Sequence, residues 1–358
     1  MDHINVLVVD DSAFMRRAIT KMLENESDVH VVATARSGEE AIDKVEQVNP
    51  DIITMDVEMP GIGGLEAVRQ IAAHHRVPII MVSTLTREGA ETTFRALENG
   101  AVDFIAKPDA AYTNINEVAR DLVRKIRTFA RRGARPFIET ASAAARPVER
   151  KPSLPAGPHP RLGREQFACV AIGTSTGGPV ALSHVIPYLP QAFPTPIVIV
   201  QHMPLGFTRP LAERLNALSK IRVVEAENGM MLERGVAFIA PSGKQLSLRR
   251  SLGDIEVRLV DDDGSSLHVP SVDVMDEHVA DIYGSSALGV ILTGMGQDGV
   301  RGLRKIKDRG GYVVGQDEAT CVVYGMPRAA AKEGLVDRVV ALDDIPHVLN
   351  DLVGATKS

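Results

Sequence analysis

Cysteine is scarce in this sequence of 358 residues, which contains only Cys169 and Cys321. Both lie in apolar runs that resemble β-strands, and their spacing matches neither a zinc site nor a redox motif. We therefore expect two reduced thiols in a protein core rather than a disulfide bond.

Long hydrophobic runs are also missing. The apolar stretches at 195–200 and 287–292 are far shorter than the roughly 18 residues that a transmembrane helix needs. The first residues lead directly into the strand-like segment 4–9, without the basic and apolar regions of a signal peptide. Together these absences predict a cytoplasmic protein that does not insert into a membrane.

Basic residues are not in excess, since the formal net charge at pH 7 is −6. A general nucleic-acid-binding protein usually carries a basic stripe, so this charge argues against nucleic acid as a partner. Hydrophobic residues make up 44% of the sequence and charged residues 24%, which is typical of a globular protein and excludes wholesale disorder. The length predicts two domains.

The first 130 residues alternate short runs rich in valine and isoleucine with amphipathic segments. Five β–α units in this order predict an α/β domain with a doubly wound, five-stranded parallel sheet. The predicted strands lie near 4–9, 29–34, 51–55, 78–82 and 102–105, and the predicted helices near 13–25, 38–48, 64–74, 88–98 and 114–131.

This alternation stops at a proline-rich segment, which divides the chain into a first domain (1–132), a flexible linker (133–164) and a second domain (165–355). The second domain is predicted to be α/β with a mainly parallel sheet. Its predicted strands lie near 168–172, 196–200 and 288–292, its helices near 178–187, 206–218 and 298–308, and a hairpin-rich insertion at 235–260.

Polar side chains follow the strands of the first predicted sheet. Asp10 and Asp11 end the first strand, Asp56 the third, Ser83 the fourth, and Lys107 follows the fifth. The carboxyl ends of parallel strands meet at one crevice, so these groups should converge. Three carboxylates together favour a hard cation such as Mg²⁺, while the lysine and the serine hydroxyl suit the oxygens of a phosphate on Asp56. The sequence therefore predicts a phospho-acceptor pocket.

Three segments carry a resemblance to the receiver domain of two-component response regulators. They are Val8-Val9-Asp10-Asp11-Ser12, Asp56-Val57-Glu58-Met59-Pro60 followed by Gly63-Gly64, and Lys107-Pro108. The resemblance implies a flavodoxin-like fold and a histidine kinase that donates phosphate to Asp56. It further implies that the main-chain carbonyl of Glu58 joins the aspartates as a Mg²⁺ ligand, and that Ser83 and Phe104 shift on phosphorylation.

A Gly-X-Ser-X-Gly turn at 173–177 ends the first strand of the second domain and begins a helix. The glycines permit a tight turn that exposes Ser175, and the helix N-terminus favours developing negative charge. Serine needs a base to become a nucleophile. His202 and Asp298 each directly follow another predicted strand, so the three side chains should meet as a Ser-His-Asp triad at one sheet edge.

Two other classes of function remain open on these residues. The segment Gly294-Met295-Gly296-Gln297-Asp298-Gly299 also matches the G-x-G-x-x-G pattern of dinucleotide-binding oxidoreductases, with Asp317 as the ribose-binding acid, although Ser175 and His202 are then unexplained. A receiver domain also occurs in non-enzymatic adapters and transcription regulators. The second half, however, lacks a basic helix-turn-helix pattern.

The second half resembles the CheB family of chemotaxis methylesterases. The resemblance lies in Gly173-Thr174-Ser175-Thr176-Gly177-Gly178-Pro179, Gln201-His202-Met203-Pro204 and Leu292-Thr293-Gly294-Met295-Gly296-Gln297-Asp298-Gly299, and with the receiver it covers nearly the whole chain except the linker. The chain order Ser, His, Asp differs from that of α/β-hydrolases.

The likeness to the CheB family implies an enzyme that demethylates glutamate methyl esters of methyl-accepting chemoreceptors, and often deamidates receptor glutamines, without a cofactor for hydrolysis. It also implies that Thr176 lies beside the nucleophile and that the main-chain N–H of Met295 stabilises an oxyanion. A further implication is that the unphosphorylated receiver packs across the catalytic face, so that phosphorylation activates the enzyme.

Overall fold

The computed structural model describes residues 3–84, 86–107, 115–130 and 167–355. The chain divides into two compact units, with the boundary near residue 146. The predicted linker lies outside the described residues, so the three domain limits stay predictions. Within the described ranges, no helix is both long enough and apolar enough to cross a bilayer.

The first unit is built on the five-stranded parallel sheet that the sequence predicts. The strand order is β2-β1-β3-β4-β5, and every neighbouring pair is parallel. The strands are β1 (Ile4–Val9), β2 (Val29–Ala35), β3 (Ile52–Asp56), β4 (Ile79–Ser83) and β5 (Asp103–Ala106), and the helices are α1 (Ala13–Glu24), α2 (Gly38–Val48), α3 (Gly63–His74), α4 (Arg87–Glu98) and α5 (Ile115–Ala130).

Local sequence explains where several helices begin. The hydroxyls of Ser12, Ser37 and Thr86 each accept a hydrogen bond from a main-chain N–H in the first turn of α1, α2 and α4. Such N-caps satisfy donors that have no partner inside the helix. The central strands β3 and β4 are buried along their whole length, as expected for a parallel sheet covered by helices.

The second unit contains a seven-stranded parallel sheet with the order β14-β13-β12-β6-β7-β9-β8, and a separate antiparallel hairpin of β10 and β11. Its strands are β6 (Cys169–Thr174), β7 (Ile197–Gln201), β8 (Arg222–Glu225), β9 (Val236–Ile239), β10 (Gln245–Ser251), β11 (Asp254–Val260), β12 (Ala287–Ile291), β13 (Tyr312–Gln316) and β14 (Arg338–Val340). Its helices are α6 (Gly178–Val185), α7 (Thr208–Leu218), α8 (Val272–Tyr283), α9 (Val300–Asp308), α10 (Met326–Lys332) and α11 (Ile345–Val353).

Two sequence expectations for this unit were wrong in part. The insertion at 235–260 does contain the predicted hairpin, but its first segment is β9, a parallel strand of the main sheet. All four residues of β9 are buried and apolar, so the strand lacks the alternation that marks a half-exposed hairpin. Cys169 is buried in β6 as expected, whereas Cys321 lies in the loop between β13 and α10 and is only half-buried; both are free thiols.

Strand order brings the functional segments together. β6 is the first strand of its sheet, and the chain continues to β7 on one side and returns to β12 on the other. In the first unit, β1 has β2 on one side and β3 on the other. Such reversals open a crevice at the carboxyl ends of the strands, where ligands bind in open α/β sheets. Ser175 lies at the crevice of the second unit, and Asp10 lies at the crevice of the first unit.

Candidate active site and phospho-acceptor pocket

Ser175 lies in a tight turn between β6 and α6. Gly177 has φ +79°, and a Cβ atom added there would come within 2.7 Å of Val322. The turn therefore needs glycine for its conformation and for the space. The main-chain N–H of Ser175 donates to the carbonyl of Thr293 at 3.1 Å, and its carbonyl accepts from Gly178 at 2.8 Å, which fixes the serine backbone.

His202 follows β7 and is held against the same turn. Its main-chain N–H donates to the carbonyl of Thr174 at 3.1 Å. Its ring Nε2 lies 2.7 Å from Oδ2 of Asp298. The structure thus brings together two of the three predicted groups as a hydrogen-bonded pair, and places Ser175 at the end of the adjacent strand.

The other ring nitrogen of His202, Nδ1, is buried and has no hydrogen-bond partner within the described part of the chain. The hydrogen bond between the serine hydroxyl and the imidazole is therefore not formed in this structure. Catalytic hydrogen bonds are often absent or long without substrate and form when it binds. With Nε2 committed to Asp298, Nδ1 is the ring atom that remains to act as the base.

Asp298 is held at the N-terminus of α8. Its Oδ1 accepts from the hydroxyl of Ser271 at 2.9 Å and from the N–H of Asp273 at 3.0 Å, while Oδ2 accepts from the N–H of Val272 at 2.8 Å. Burial alone would raise the pKa of this carboxyl, but the hydrogen bond and charge of His202 and the N–H groups of α8 hold it well below its ordinary value. Asp298 therefore remains a carboxylate.

Sequence reasoning missed three residues at this site. Ser271 caps α8 and contacts Asp298, as described above. The ring of His268 stacks on that of His202, with centroids 4.1 Å apart and an interplanar angle of 20°. The side-chain amide of Gln201 donates to the carbonyls of Ser175 and His202. Of these three residues, only Gln201 could have been suspected from the sequence, because it directly precedes His202.

The loop after β12 carries Met295 and contacts the serine turn. Met295 is half-buried and lies two residues after Thr293. The hydroxyl of Thr293 donates to the carbonyl of Thr176 at 2.9 Å and accepts from the N–H of Val323 at 3.0 Å. Thr176 is buried next to Ser175. Thr293 thus links the loop that carries Met295 to the turn that carries Thr176, by a hydrogen bond.

Close packing explains two of the three glycines in the 294–299 segment, while Gly296 has open space around it and φ +90°, a conformation that favours glycine. A Cβ atom on Gly294 would lie 3.0 Å from Cβ of Ser175, and one on Gly299 would lie 2.9 Å from the side chain of Val272. Asp317, the candidate ribose-binding acid, accepts hydrogen bonds from the main chain and hydroxyl of Thr320 and so closes a turn. These contacts, with the backbone conformation of Gly296, account for the pattern without a dinucleotide.

The phospho-acceptor pocket of the first unit is assembled at the ends of β1, β3 and β5. Nζ of Lys107 lies 2.7 Å from Oδ2 of Asp56 and 3.1 Å from Oδ2 of Asp10. Asp10 and Asp56 are almost fully buried, and Asp11 is exposed. Each of the three aspartates offers an oxygen within 4.8 Å of the others, which is a suitable donor set for a hard divalent cation.

The charges in this pocket are unbalanced. Burial raises the pKa of Asp56 to about 6, with a further contribution from the charge of Asp10, although Lys107 acts in the opposite direction. For Lys107, burial lowers the pKa, but the contacts with Asp56 and Asp10 outweigh this and raise it. The N–H of Glu58 donates to Oδ1 of Asp56 at 3.2 Å; its carbonyl remains the predicted fourth ligand. Two buried carboxylates beside one ammonium group leave a net negative charge in the pocket, which a bound cation would neutralise.

Of the two predicted switch residues, Ser83 ends β4, which lies between β3 and β5, and Phe104 lies within β5. The hydroxyl of Ser83 donates to the carbonyl of Gly89 in the first turn of α4, at 3.2 Å, and not to the pocket. Phe104 is buried and packs edge-on against Phe94, with ring centroids 6.3 Å apart. The contact of Ser83 with a phosphate on Asp56 therefore stays a prediction.

Comparison with known proteins agrees with both halves of this description. A family model described as CheB methylesterase matches residues 170–349, and one described as response regulator receiver domain matches residues 6–118. A protein-glutamate methylesterase/protein-glutamine glutaminase of Geobacillus kaustophilus is 44% identical over 356 residues, which cover 99% of this chain and 100% of that protein. One from Nitratidesulfovibrio vulgaris is 45% identical over 363 residues, covering 96% and 97%.

A solved structure is also similar. The crystal structure of the Thermotoga maritima CheB methylesterase catalytic domain matches with a TM-score of 0.51 and 45% sequence identity. The match covers 52% of this chain and 99% of that one. The second unit therefore has the architecture of a known catalytic domain.

Proposed function

Since this chain belongs to the CheB methylesterase family and carries a receiver domain, we propose that it is a phosphorylation-activated serine hydrolase acting on glutamate methyl esters of chemoreceptors. Its relatives are named for both methylesterase and glutaminase activity, so the proposal includes deamidation of receptor glutamines. The single observation that best supports it is the His202–Asp298 pair at the strand end next to Ser175. The proposed domain limits are 1–132, 133–164 and 165–355.

In the proposed first step, the hydroxyl oxygen of Ser175 attacks the ester carbonyl carbon while Nδ1 of His202 takes the hydroxyl proton. Asp298 holds the ring by Nε2 and stabilises the imidazolium that forms. The tetrahedral intermediate then collapses, and the imidazolium gives its proton to the departing methoxide, so that methanol leaves. An acyl-enzyme on Ser175 remains.

Water completes the reaction by the same route in reverse. His202 takes a proton from water as the water oxygen attacks the acyl carbon, and then returns the proton to Ser175 as glutamate is released. A glutamine side chain would follow the same steps with ammonia as the leaving group. The proposed oxyanion donor is the main-chain N–H of Met295, and Thr176 is the proposed neighbour of the nucleophile. One such donor contributes about 10²- to 10³-fold to turnover.

The receiver is proposed to control this reaction through phosphorylation of Asp56 by the histidine kinase of the same signalling system. Asp10, Asp11, Asp56 and the carbonyl of Glu58 would hold Mg²⁺, which when bound supplies the positive charge that phosphate oxygens need. Lys107 would move from its contact with the carboxylate of Asp56 to the phosphate. A phosphate can activate the enzyme only if it favours the active state over the inactive one.

Phosphate incorporation tests the receiver assignment. With a radiolabelled small phosphodonor and Mg²⁺, we expect the wild-type chain to be labelled and Asp56→Asn to remain unlabelled, because an amide cannot accept the phosphoryl group. Chelating Mg²⁺ with EDTA should abolish labelling of the wild type. Asp51→Asn is the matched control, since Asp51 precedes β3 and accepts a hydrogen bond from Asn5. Undiminished labelling of Asp56→Asn would show that another residue is the acceptor.

Removing the hydroxyl of Ser271 should slow the hydrolase by about 10-fold, because a hydrogen bond to a charged group contributes about 1.5–3 kcal/mol, part of which the N–H groups of α8 retain. Ser271→Ala also removes the N-cap of α8 and should cost about 1 kcal/mol of stability. Turnover at a temperature where the variant is fully folded separates the two effects. Equal turnover of variant and wild type there would mean that the hydroxyl only caps the helix.

Methanol release from methylated receptor membranes tests the hydrolase class, and a gel shift with DNA tests the transcription-regulator alternative. We expect methanol release and no shift. A DNA complex without methanol release would reverse the assignment.

A further inference from the structure

Gln201 is the last residue of β7, and only 1% of its surface is exposed. Its side-chain Nε2 lies 2.8 Å from the carbonyl oxygen of Ser175 and 2.8 Å from that of His202. The amide nitrogen must be the atom that faces these two oxygens, because only the nitrogen can donate. One buried side chain therefore links the main chains of the proposed nucleophile and the proposed base.

The position of this link along the strands is informative. β6 and β7 are paired as far as Thr174 and Gln201, and the N–H of His202 donates to the carbonyl of Thr174 just beyond that pair. After that point the chain turns into α6 on one side and into a loop on the other. The side chain of Gln201 thus continues the connection between the two segments where strand pairing has ended.

One part of the arrangement is unfavourable to the fold. Oε1 of Gln201 is buried without a hydrogen-bond partner within the described residues, and such an acceptor destabilises a protein. The side chain also requires glycine at 178, since a Cβ atom there would lie 1.8 Å from Oε1. An apolar side chain of similar length would avoid the unpaired acceptor. Features that work against stability tend to mark functional sites.

From these contacts we propose that Gln201 is a positioning residue that sets the distance and orientation between Ser175 and His202. The proposal rests on the hydrolase function proposed above. Gln201 does not touch the reacting atoms. It acts through two main-chain carbonyls. By fixing these, it lets the serine hydroxyl reach Nδ1 of the imidazole without a rearrangement of either main-chain segment.

Two variants of similar shape test this role. Gln201→Met keeps the length without donors or acceptors, and Gln201→Glu keeps the acceptors without the donors. Because a misplacement of about 1 Å can cost 10²-fold, we expect both variants to lower kcat for methanol release by about 10- to 100-fold. KM for the methylated receptor should stay within about twofold, since the substrate contacts are unchanged. Gln201→Met removes the unpaired acceptor but also the two donated hydrogen bonds, so kcat is measured at a temperature where the variant is fully folded.

A slower turnover of the fully folded variants, with KM unchanged, separates positioning from a structural role. The matched control is Ser247→Ala, which removes a partly buried hydrogen bond from a hydroxyl to the carbonyl of Arg258 in the hairpin and should retain wild-type kcat. The proposal would be overturned if fully folded Gln201→Met had the same kcat as the control. Wild type and Ser175→Ala measured alongside show separately whether the hydrolase function itself holds.

Discussion

Replacing Ser175 with alanine should lower methanol release from methylated receptors by about 10⁴-fold or more, because loss of a triad nucleophile leaves only the oxyanion site and substrate binding to act. The variant should fold normally, since the serine backbone is held by main-chain hydrogen bonds to Thr293 and Gly178 that do not involve the hydroxyl. The measurement is single-turnover methanol release, compared with thermal unfolding of the same preparation.

Ser183→Ala is the matched control for this experiment. Ser183 lies in α6, and its hydroxyl donates to the carbonyl of Pro179 at 3.0 Å. It has no contact with the proposed triad, so turnover should remain at the wild-type level. If Ser175→Ala retained a turnover comparable to that of Ser183→Ala, another group would be the nucleophile and the mechanism proposed above would be wrong.

Asp298→Asn should lower turnover by about 10⁴-fold, the size of the effect when the orienting aspartate of a serine-protease triad is replaced by asparagine. The carboxylate of Asp298 accepts hydrogen bonds from Ser271, Val272, Asp273 and His202. An amide offers one acceptor oxygen, and its NH₂ group would face donors. The imidazole would then lose both its orientation and the charge that stabilises its protonated form.

A second histidine–aspartate pair in the same unit provides the control. Nδ1 of His184 lies 3.3 Å from Oδ1 of Asp343, whose side chain is 74% exposed. Because an exposed pair contributes little, Asp343→Asn should leave turnover unchanged. The pH profile is informative as well: the pKa of Asp298 is held below its ordinary value, so loss of activity between pH 7 and 5 should not arise from protonation of Asp298. Wild-type turnover in Asp298→Asn would show that His202 needs no carboxylate.

Topology explains why much of both sites could be predicted from the sequence. The order of β–α units implies parallel strands, and parallel strands place their carboxyl ends at one edge. Asp10, Asp56 and Lys107 are far apart in sequence, yet each follows a recognisable apolar strand, and the structure brings them within ion-pair distance. The same reasoning predicted that His202 and Asp298 would lie close together.

The remaining features depend on packing that leaves no local pattern. Ser271 reaches Asp298 because the chain returns from the β10–β11 hairpin to the sheet edge, where Gln245 accepts the N–H of Ser271. The sequence also cannot indicate which imidazole nitrogen contacts Asp298. Finally, the glycines at 294 and 299 fit a nucleotide fingerprint as well as a close approach of side chains, and only coordinates distinguish the two.

The central claim is that a phosphorylated receiver increases the rate of a serine hydrolase in the same chain. It is tested most directly by methanol release from methylated receptor membranes, with the full-length chain, before and after addition of a small phosphodonor and Mg²⁺. We expect methanol in both conditions and a faster release after phosphorylation, with the increase lost in Asp56→Asn. Absence of methanol in both conditions, from a folded chain that takes up phosphate, would contradict the account.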